Sequence, residues 1–387
     1  MQSIIDTSAL LTTYGRSPIH FVRGEGSRLW DSAGKAYLDC LAGIAVVSAG
    51  HANPDVCRAV CAQAGELVHV SNLFWTEPMV VLAERLRQSS PVDGRVFFAN
   101  SGAEANECAI KLARKSAGAG RFRIVCAEGS FHGRTLATLA ATGQPGKWQG
   151  FEPLPEGFVH ARFNDASSFA DSIDGTTAAI FIEPILGEGG IIPAEESFLA
   201  SLRELADEHQ LALIFDEVQC GMGRTGAMWA HQNYGITPDI FTSAKALGNG
   251  FPIGACVASS RVADAFAPGD HGSTYGGGPV VCAAALASWN VIEGVLESIP
   301  HKAERFVRGI TAIPGVQEVR GRGLMLAAVL EGEHAGAVAA ACLSAGLIVN
   351  AVRPNVIRFT PPLVITDDEI DEACGIFGQA VLSASGA

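Results

Sequence analysis

An acid and an amine, Asp216 and Lys245, each close a short apolar run within LALIFDEVQCGMGRTGAMWAHQNYGITPDIFTSAKALGNG, residues 211–250. Leu211–Phe215 is continuously apolar, as suits a strand buried on both faces of a parallel sheet, and it breaks into Asp216-Glu217-Val218-Gln219. Asp216 is therefore expected at a carboxyl edge, where open α/β sheets bind ligands. A second run, residues 239–244, delivers Lys245 into Ala246-Leu247-Gly248-Asn249-Gly250, whose small residues leave room beside the amine. Of six lysines, Lys35, Lys111, Lys115, Lys147 and Lys302 stand in turns or on polar helix faces and read as surface residues. Only Lys245 is flanked on both sides by small and apolar residues. Burial lowers an amine's pKa, and a neutral amine can attack a carbonyl to form a Schiff base. The plain alternative is an ordinary lysine at the mouth of a core.

Positioning such a pair takes a sheet, and the chain supplies the pattern for one. From about His51, apolar strand-like runs alternate with helical segments: 95–100, 123–127, 158–161, 178–183, 211–216, 239–243 and 254–259. That alternation implies right-handed crossovers and a mainly parallel sheet flanked by helices. Before it, the start is amphipathic and residues 21–31 alternate and turn like a small antiparallel sheet. After it, a long helix from Val280 leads to strand-like runs at 316–320, 324–330 and 356–359.

At 387 residues, with 48% hydrophobic and 17% charged, the chain predicts two or three domains around a large core. A net charge of −13 argues against nucleic acid. Ten cysteines without a CxxC or a paired framework fit free thiols in a reducing cytosol. The opening MQSIIDTSALLTTYG lacks the basic and apolar regions of a secretory signal. The longest uncharged stretch, 272–292, has a continuous apolar core only at 280–287, short of the ~20 residues a span needs, and reads as a buried helix. No HxH, HExxH or Cys/His spacing suggests a metal, and no G-x-G-x-x-G follows an early strand.

Seven blocks occur in order: FFANSGAEANECAIKLAR, SFHGRT, IEPILGEGG, LIFDEVQCGMGRTG, FTSAKALGNGFPIGA, GSTYGG and VIRFTPPL. Together they resemble the class III (ornithine/acetylornithine-type) aminotransferases, pyridoxal-phosphate enzymes of fold type I, over nearly the whole chain. The resemblance implies an α/β fold: a mainly parallel seven-stranded sheet with flanking helices, plus a smaller α+β domain. Residues 51–289 would form the large cofactor-binding domain, and 1–50 with 290–387 the small one. It further implies a cytoplasmic homodimer with shared active sites, contacting neither nucleic acid nor membrane.

Pyridoxal phosphate needs an amine, a carboxylate for its ring nitrogen, an anion site and a face for its ring. By resemblance Lys245 is the amine, Asp216 the ring-nitrogen partner, and Gln219 a contact to the ring hydroxyl. Ser101-Gly102-Ala103, at a predicted strand-to-helix turn before a helix over 103–115, would take the phosphate. Free N–H groups at a helix start bind anions, although such turns are common without ligands. Thr274 would reach the partner subunit's phosphate, and Phe131 would stack on the ring. His132 reads as structural. Arg134 would grip a substrate carboxylate, for which a planar guanidinium is suited. Glu188 would mask Arg358 for one substrate and swing aside for the other. Tyr14 and Ile44 would border the donor.

Three positions depart from the family pattern: Gly278 stands where relatives usually carry Asn, and Asn249 and Ala42 each replace a glycine. The resemblance implies transfer of a terminal amine from N-acetylornithine to 2-oxoglutarate. Succinylornithine, ornithine, succinyl-diaminopimelate and 4-aminobutyrate are alternative donors. A pyridoxal-phosphate-binding regulator would need an appended basic helix-turn-helix, for which the chain has neither residues nor charge.

Overall fold

The computed structural model describes residues 8–384. Residues 8–20 carry no helix or strand, and the first part of the amphipathic start, 1–7, lies outside the described residues. Three short strands follow, β1 (Phe21–Glu25), β2 (Arg28–Asp31) and β3 (Ala36–Asp39), paired antiparallel as the alternation predicts.

The middle of the chain contributes β4 (Gly94–Ala99), β5 (Arg123–Ala127), β6 (Phe158–Ala161) and β7 (Thr177–Ile182). A two-residue ribbon, β8 (Ile185–Leu186) with β9 (Ile192–Pro193), precedes β10 (Ala212–Asp216), β11 (Ile240–Ser243) and β12 (Gly254–Ser259). Seven of these form the central sheet in the order β4-β12-β11-β10-β7-β5-β6. It is parallel from β11 through β6, and β12 runs antiparallel to both its neighbours. Every residue of β7 and β10 is buried, which is why those runs are apolar without alternation. The expected mainly parallel α/β sheet is therefore present, each strand within a residue of its sequence prediction.

The last part adds β13 (Val316–Arg322), β14 (Met325–Leu330), β15 (Leu347–Ile348), β16 (Asn350–Arg353) and β17 (Val356–Phe359). Four of them make an antiparallel sheet, β13-β14-β17-β16, while β15 pairs parallel with β3 and ties the two ends of the chain together. β15 and β16 escape sequence reading because both are short and β16, Asn350-Ala351-Val352-Arg353, lacks an apolar run. The run Pro279–Thr311 is long and apolar enough to cross a membrane by length and composition. Its Pro279–Val295 helix packs against the helices Pro54–Glu66 and Glu77–Gln88, with Cys282, Ala285, Trp289 and Ile292 in the core.

Between β3 and the Pro54–Glu66 helix the backbone makes one left-handed turn: Ala42, Gly43, Ile44 and Ala45 have φ of 51°, 65°, 68° and 59°. Non-glycine residues lose roughly 1–2 kcal/mol each in that region, so neighbours must hold the turn. Asp39 Oδ1 accepts the N–H groups of Leu41 (2.9 Å) and Ala42 (2.8 Å), and the Thr360 hydroxyl donates to Leu41 O (2.9 Å). Further along, Arg224 Nη2 donates to Ser48 Oγ (2.8 Å). Asn249 Oδ1 accepts the Ala49 N–H (2.8 Å) and its Nδ2 donates to Gly50 O (3.1 Å).

Asn249 itself sits at φ +47°, buried. Its amide thus clips the 46–50 segment to the Lys245 loop, and asparagine is among the few side chains that tolerate that conformation. Asn249→Ala loses both hydrogen bonds and keeps an unfavourable φ, which should cost about 2–3 kcal/mol. Asn249→Gly relieves the backbone and should cost less, so thermal midpoints should fall in the order wild type, Gly, Ala.

Candidate active site

The carboxyl ends of β4, β7, β10 and β11 open onto one cavity of about 410 Å³. Asp216, the last residue of β10, is buried in its wall. Its Oδ2 accepts from Asn106 Nδ2 (2.8 Å) and His132 Nδ1 (2.9 Å), and its Oδ1 from the Val218 N–H (3.0 Å). The carboxylate partner assigns the imidazole proton to Nδ1, leaving Nε2 buried without a partner. The His132 ring stacks on Phe181 at 4.0 Å and 19°. Asn106 is itself held, donating to His132 O (2.7 Å) and accepting from the Thr242 hydroxyl (2.7 Å).

Lys245 follows β11 at φ +45° and lines the same cavity. Burial, and then the positive charge of Arg358, lower its pKa. Its amine makes no hydrogen bond or ion pair among the described residues. Beside Asp216 lies a second buried carboxyl, Glu183, one residue beyond β7. Its Oε1 accepts the Phe131 N–H (2.9 Å) and its Oε2 the Gly187 N–H (3.0 Å). Burial and the nearby Asp216 charge push the Glu183 carboxyl up to about 8, although the two N–H donors work the other way.

Ser101, Gly102 and Ala103 line the cavity where β4 runs into the Gly102–Ala117 helix. Ser101 Oγ caps the helix by accepting the Glu104 N–H (3.2 Å), and Glu104 Oε2 takes the Asn100 N–H (2.7 Å) of the residue before it. The first N–H groups of this helix, at Gly102 and Ala103, have no intrahelical acceptor. A side chain at Gly102 would lie 2.8 Å from Val218 Cγ1, so packing alone requires glycine there.

Phe131 and Arg134 stand at the rim, the guanidinium carbon 5.7 Å from the ring centroid, and Arg134 makes no ion pair among the described residues. Deeper, Arg358 of β17 is buried; its Nη1 lies 3.3 Å from Gln219 Oε1 and 3.4 Å from Glu188 Oε1, and its Nη2 donates to Asn350 Oδ1 (2.7 Å). Burial works to raise the Glu188 carboxyl, but Arg358, Lys147 and Lys245 outweigh it and hold it below the ordinary range.

The structure thus gathers Lys245, Asp216, Gln219, Ser101, Gly102, Ala103, Phe131 and Arg134 on one cavity, with the Arg358–Glu188 pair joined to it through Gln219. It does not bring Thr274 or Tyr14 there. Thr274 lines a separate pocket with Asn72 and Tyr275, and Tyr14 is 73% exposed. Ile44 is half-buried in the left-handed turn, and Val46, two residues on, is what reaches the cavity. Sequence reading missed Asn106, Glu183 and the bond from His132 to Asp216. An asparagine on the apolar face of an amphipathic helix, with Ala109, Ile110 and Ala113, is a signal that would have found Asn106. Lys147, read as a surface lysine, instead lies 3.7 Å from Glu188.

A family model described as Aminotransferase class-III matches residues 12–381. The acetylornithine aminotransferase of Methanothermobacter thermautotrophicus is 48% identical over 385 residues, covering 97% of each chain. That of Corynebacterium efficiens is 50% identical over 375 residues, 94% of this chain and 92% of its own. Among solved structures, an ornithine aminotransferase from Toxoplasma gondii superposes with a TM-score of 0.92 at 31% identity, covering 97% of this chain and 92% of that one. That structure is described as showing partial occupancy of PLP at its active site.

Class III aminotransferases are pyridoxal-phosphate enzymes, and the donor set here fits that group. A partnerless amine, an anchored carboxylate, free helix-start N–H groups and an aromatic face surround a single cavity.

Glu183 gives this cavity a measurable pH signature. Its folded pKa lies above the ordinary carboxyl value, so the folded form holds the proton after the unfolded chain has lost it. Its contribution to stability is therefore fully present below about pH 4.5 and declines as pH rises towards about 8. Glu183→Gln, which copies the protonated acid, should flatten that decline. In apoprotein melts the variant should gain on wild type between pH 5 and pH 8.5; parallel pH profiles would show that the carboxyl is already ionised.

Proposed function

The chain belongs to the class III aminotransferases, and from that premise we propose that it transfers the terminal amino group of N-acetylornithine to 2-oxoglutarate. The products are N-acetylglutamate semialdehyde and glutamate, a step of arginine synthesis. The observation that carries this reading is the near full-length likeness, at 48% and 50% identity, to two acetylornithine aminotransferases. All ten cysteines are free, which supports a reducing, cytoplasmic setting. We take residues 51–289 as the cofactor-binding domain and the two flanking segments as the small one.

Pyridoxal phosphate, when bound, supplies an aldehyde that exchanges amines and a ring that draws electrons from the substrate carbon. Lys245 provides the amine that binds that aldehyde. As a free neutral amine, Lys245 would also be the base that takes and returns the proton at the substrate's reacting carbon. Asp216, fixed by Asn106, His132 and Val218, offers a charged acceptor that keeps a proton on the ring nitrogen. Gly102 and Ala103 would hold the phosphate, Gln219 the ring hydroxyl, and Phe131 would cover the ring. Arg134 would take the carboxylate remote from the reacting carbon, the α-carboxylate of N-acetylornithine or the γ-carboxylate of 2-oxoglutarate. Arg358 takes the second carboxylate of 2-oxoglutarate after Glu188 uncovers it.

The enzyme works as a homodimer in which Thr274 completes the partner's phosphate site. Support comes from the distance of Thr274 from its own cavity and from an apolar surface beside it: Leu73, Phe74, Trp75 and Tyr275 are 83%, 65%, 87% and 68% exposed. Thr274→Ala should weaken retention of the cofactor roughly tenfold, as loss of a hydrogen bond to a charged group does, with the thermal midpoint of the apoprotein unchanged. A monomer fully active at nanomolar concentration would exclude shared sites.

Donor choice turns on the apolar wall that Val46 presents to the cavity and on Ile44 in the turn just before it. These apolar side chains offer no partner to the free α-ammonium of ornithine, whereas an acetylated amine carries no charge. N-Acetylornithine should exceed ornithine in kcat/KM by at least about tenfold, and Ile44→Tyr should narrow that gap. The check is a panel of N-acetylornithine, succinylornithine, ornithine and 4-aminobutyrate with 2-oxoglutarate fixed. Preference for free ornithine would refute the wall's role; preference for 4-aminobutyrate would remove the arginine-pathway reading and leave the chemistry.

A further inference from the structure

One carboxylate, that of Glu188, is shared between two cations. Its Oε1 lies 3.4 Å from Arg358 Nη1 and its Oε2 lies 3.7 Å from Lys147 Nζ. The two cations differ in freedom. Arg358 is buried on β17 and fixed by Asn350 and Gln219, so it cannot follow a departing partner. Glu188 stands in Gly187-Glu188-Gly189-Gly190, with its side chain 29% exposed, and is the member free to change partner. Lys147 sits towards the rim, its side chain 23% exposed and its amine 4.9 Å from the centre of the Phe131 ring. That aromatic face holds the ammonium in place whether or not Glu188 is against it.

We propose that Lys147 is a specificity-determining residue: it receives Glu188 when Glu188 leaves Arg358, and so lets one pocket accept both a monocarboxylate donor and a dicarboxylate acceptor. This rests on the reading of Glu188 as a movable mask for Arg358. When 2-oxoglutarate enters, its second carboxylate takes Arg358 and Glu188 is released beside a new negative charge. With no cation in reach, a half-buried carboxylate would resist that move. Lys147 turns the opening into an exchange of one ion pair for another. The open state is then populated enough for the acceptor to bind without losing much affinity to the conformational change.

The test separates the two half-reactions. Cofactor-loaded enzyme is mixed with N-acetylornithine, and the aminated enzyme with 2-oxoglutarate; calorimetry with unreactive glutarate reads binding apart from turnover. Lys147→Met keeps the apolar stem and removes the charge. It should raise the KM for 2-oxoglutarate and the Kd for glutarate roughly three- to tenfold, with a smaller change in the donor half-reaction. Lys147→Arg should restore most of the loss. In a Glu188→Gln background, Lys147→Met should have no further effect on either dicarboxylate.

Equal weakening of both half-reactions, or a Lys147→Met effect that survives in Glu188→Gln, would overturn the proposal and leave the mask intact. If Glu188→Gln alone leaves both half-reactions unchanged, the mask reading falls and the role of Lys147 falls with it.

Discussion

Two carboxyl groups buried side by side at one sheet edge set the terms for everything around them. Asp216 and Glu183 end or follow neighbouring strands, β10 and β7, and two like charges cannot share a poorly hydrated wall at low cost. The fold resolves this by unequal support. Asp216 accepts from a side-chain amide, an imidazole and a backbone N–H, so its charge is spread over three donors. Glu183 has only two backbone donors and is driven towards its protonated form by burial and by Asp216. The unequal support sets Asp216, with three donors, apart from Glu183, whose carboxyl burial and the Asp216 charge push up to about 8. Glu183 also pins the loops of Phe131 and Gly187.

How much of this was legible follows from how each residue is determined. Strand ends are local facts: Asp216 and Lys245 could be read because each terminates an apolar run, and the sheet confirms both placements. The supporting layer is non-local. Asn106 and Asp216 are 110 residues apart and His132 and Asp216 are 84 apart, and no short window connects them. Lys147 was misread because Gln-Pro-Gly marks a turn, and a turn says nothing about what the turn lies against. The left-handed turn at 42–45 was hidden for a different reason. Only one of its four residues is glycine, so composition gave no warning, and long-range hydrogen bonds hold it.

Two non-glycine residues at positive φ lie in and beside that segment, Ala42 within the turn and Asn249 clipped to Ala49 and Gly50 just after it. Ala42 and Asn249 both stand at positive φ where a glycine would be at ease. Ala42 is compensated by the Asp39 carboxylate, which accepts its N–H and that of Leu41. Asn249 compensates itself by making two hydrogen bonds that glycine cannot make. Side-chain clips thus offset the backbone cost of positive φ, and they tie down the segment that carries Ile44 and Val46. A stiff wall discriminates by shape and polarity because it cannot yield to the wrong donor.

Rigidity on one side of the cavity gives meaning to softness on the other. Arg224, fully buried, reaches from the segment after β10 to Leu324 O (3.0 Å), Pro361 O (2.6 Å) and Ser48 Oγ (2.8 Å). It has no carboxylate partner among the described residues, and burial lowers its pKa to about 9. It therefore acts as a fixed multi-donor tie between the N-terminal segment, the C-terminal sheet and the strand that bears Asp216. Glu188 is the contrasting case: partly exposed, between glycines, and balanced between two cations rather than locked to one. A pocket that must take two differently charged substrates through one chemistry requires that division. On the proposed roles, the carboxylate of Asp216 is held by three hydrogen bonds, and the adjustment between substrates falls to an anion that can change partners without being left unpaired.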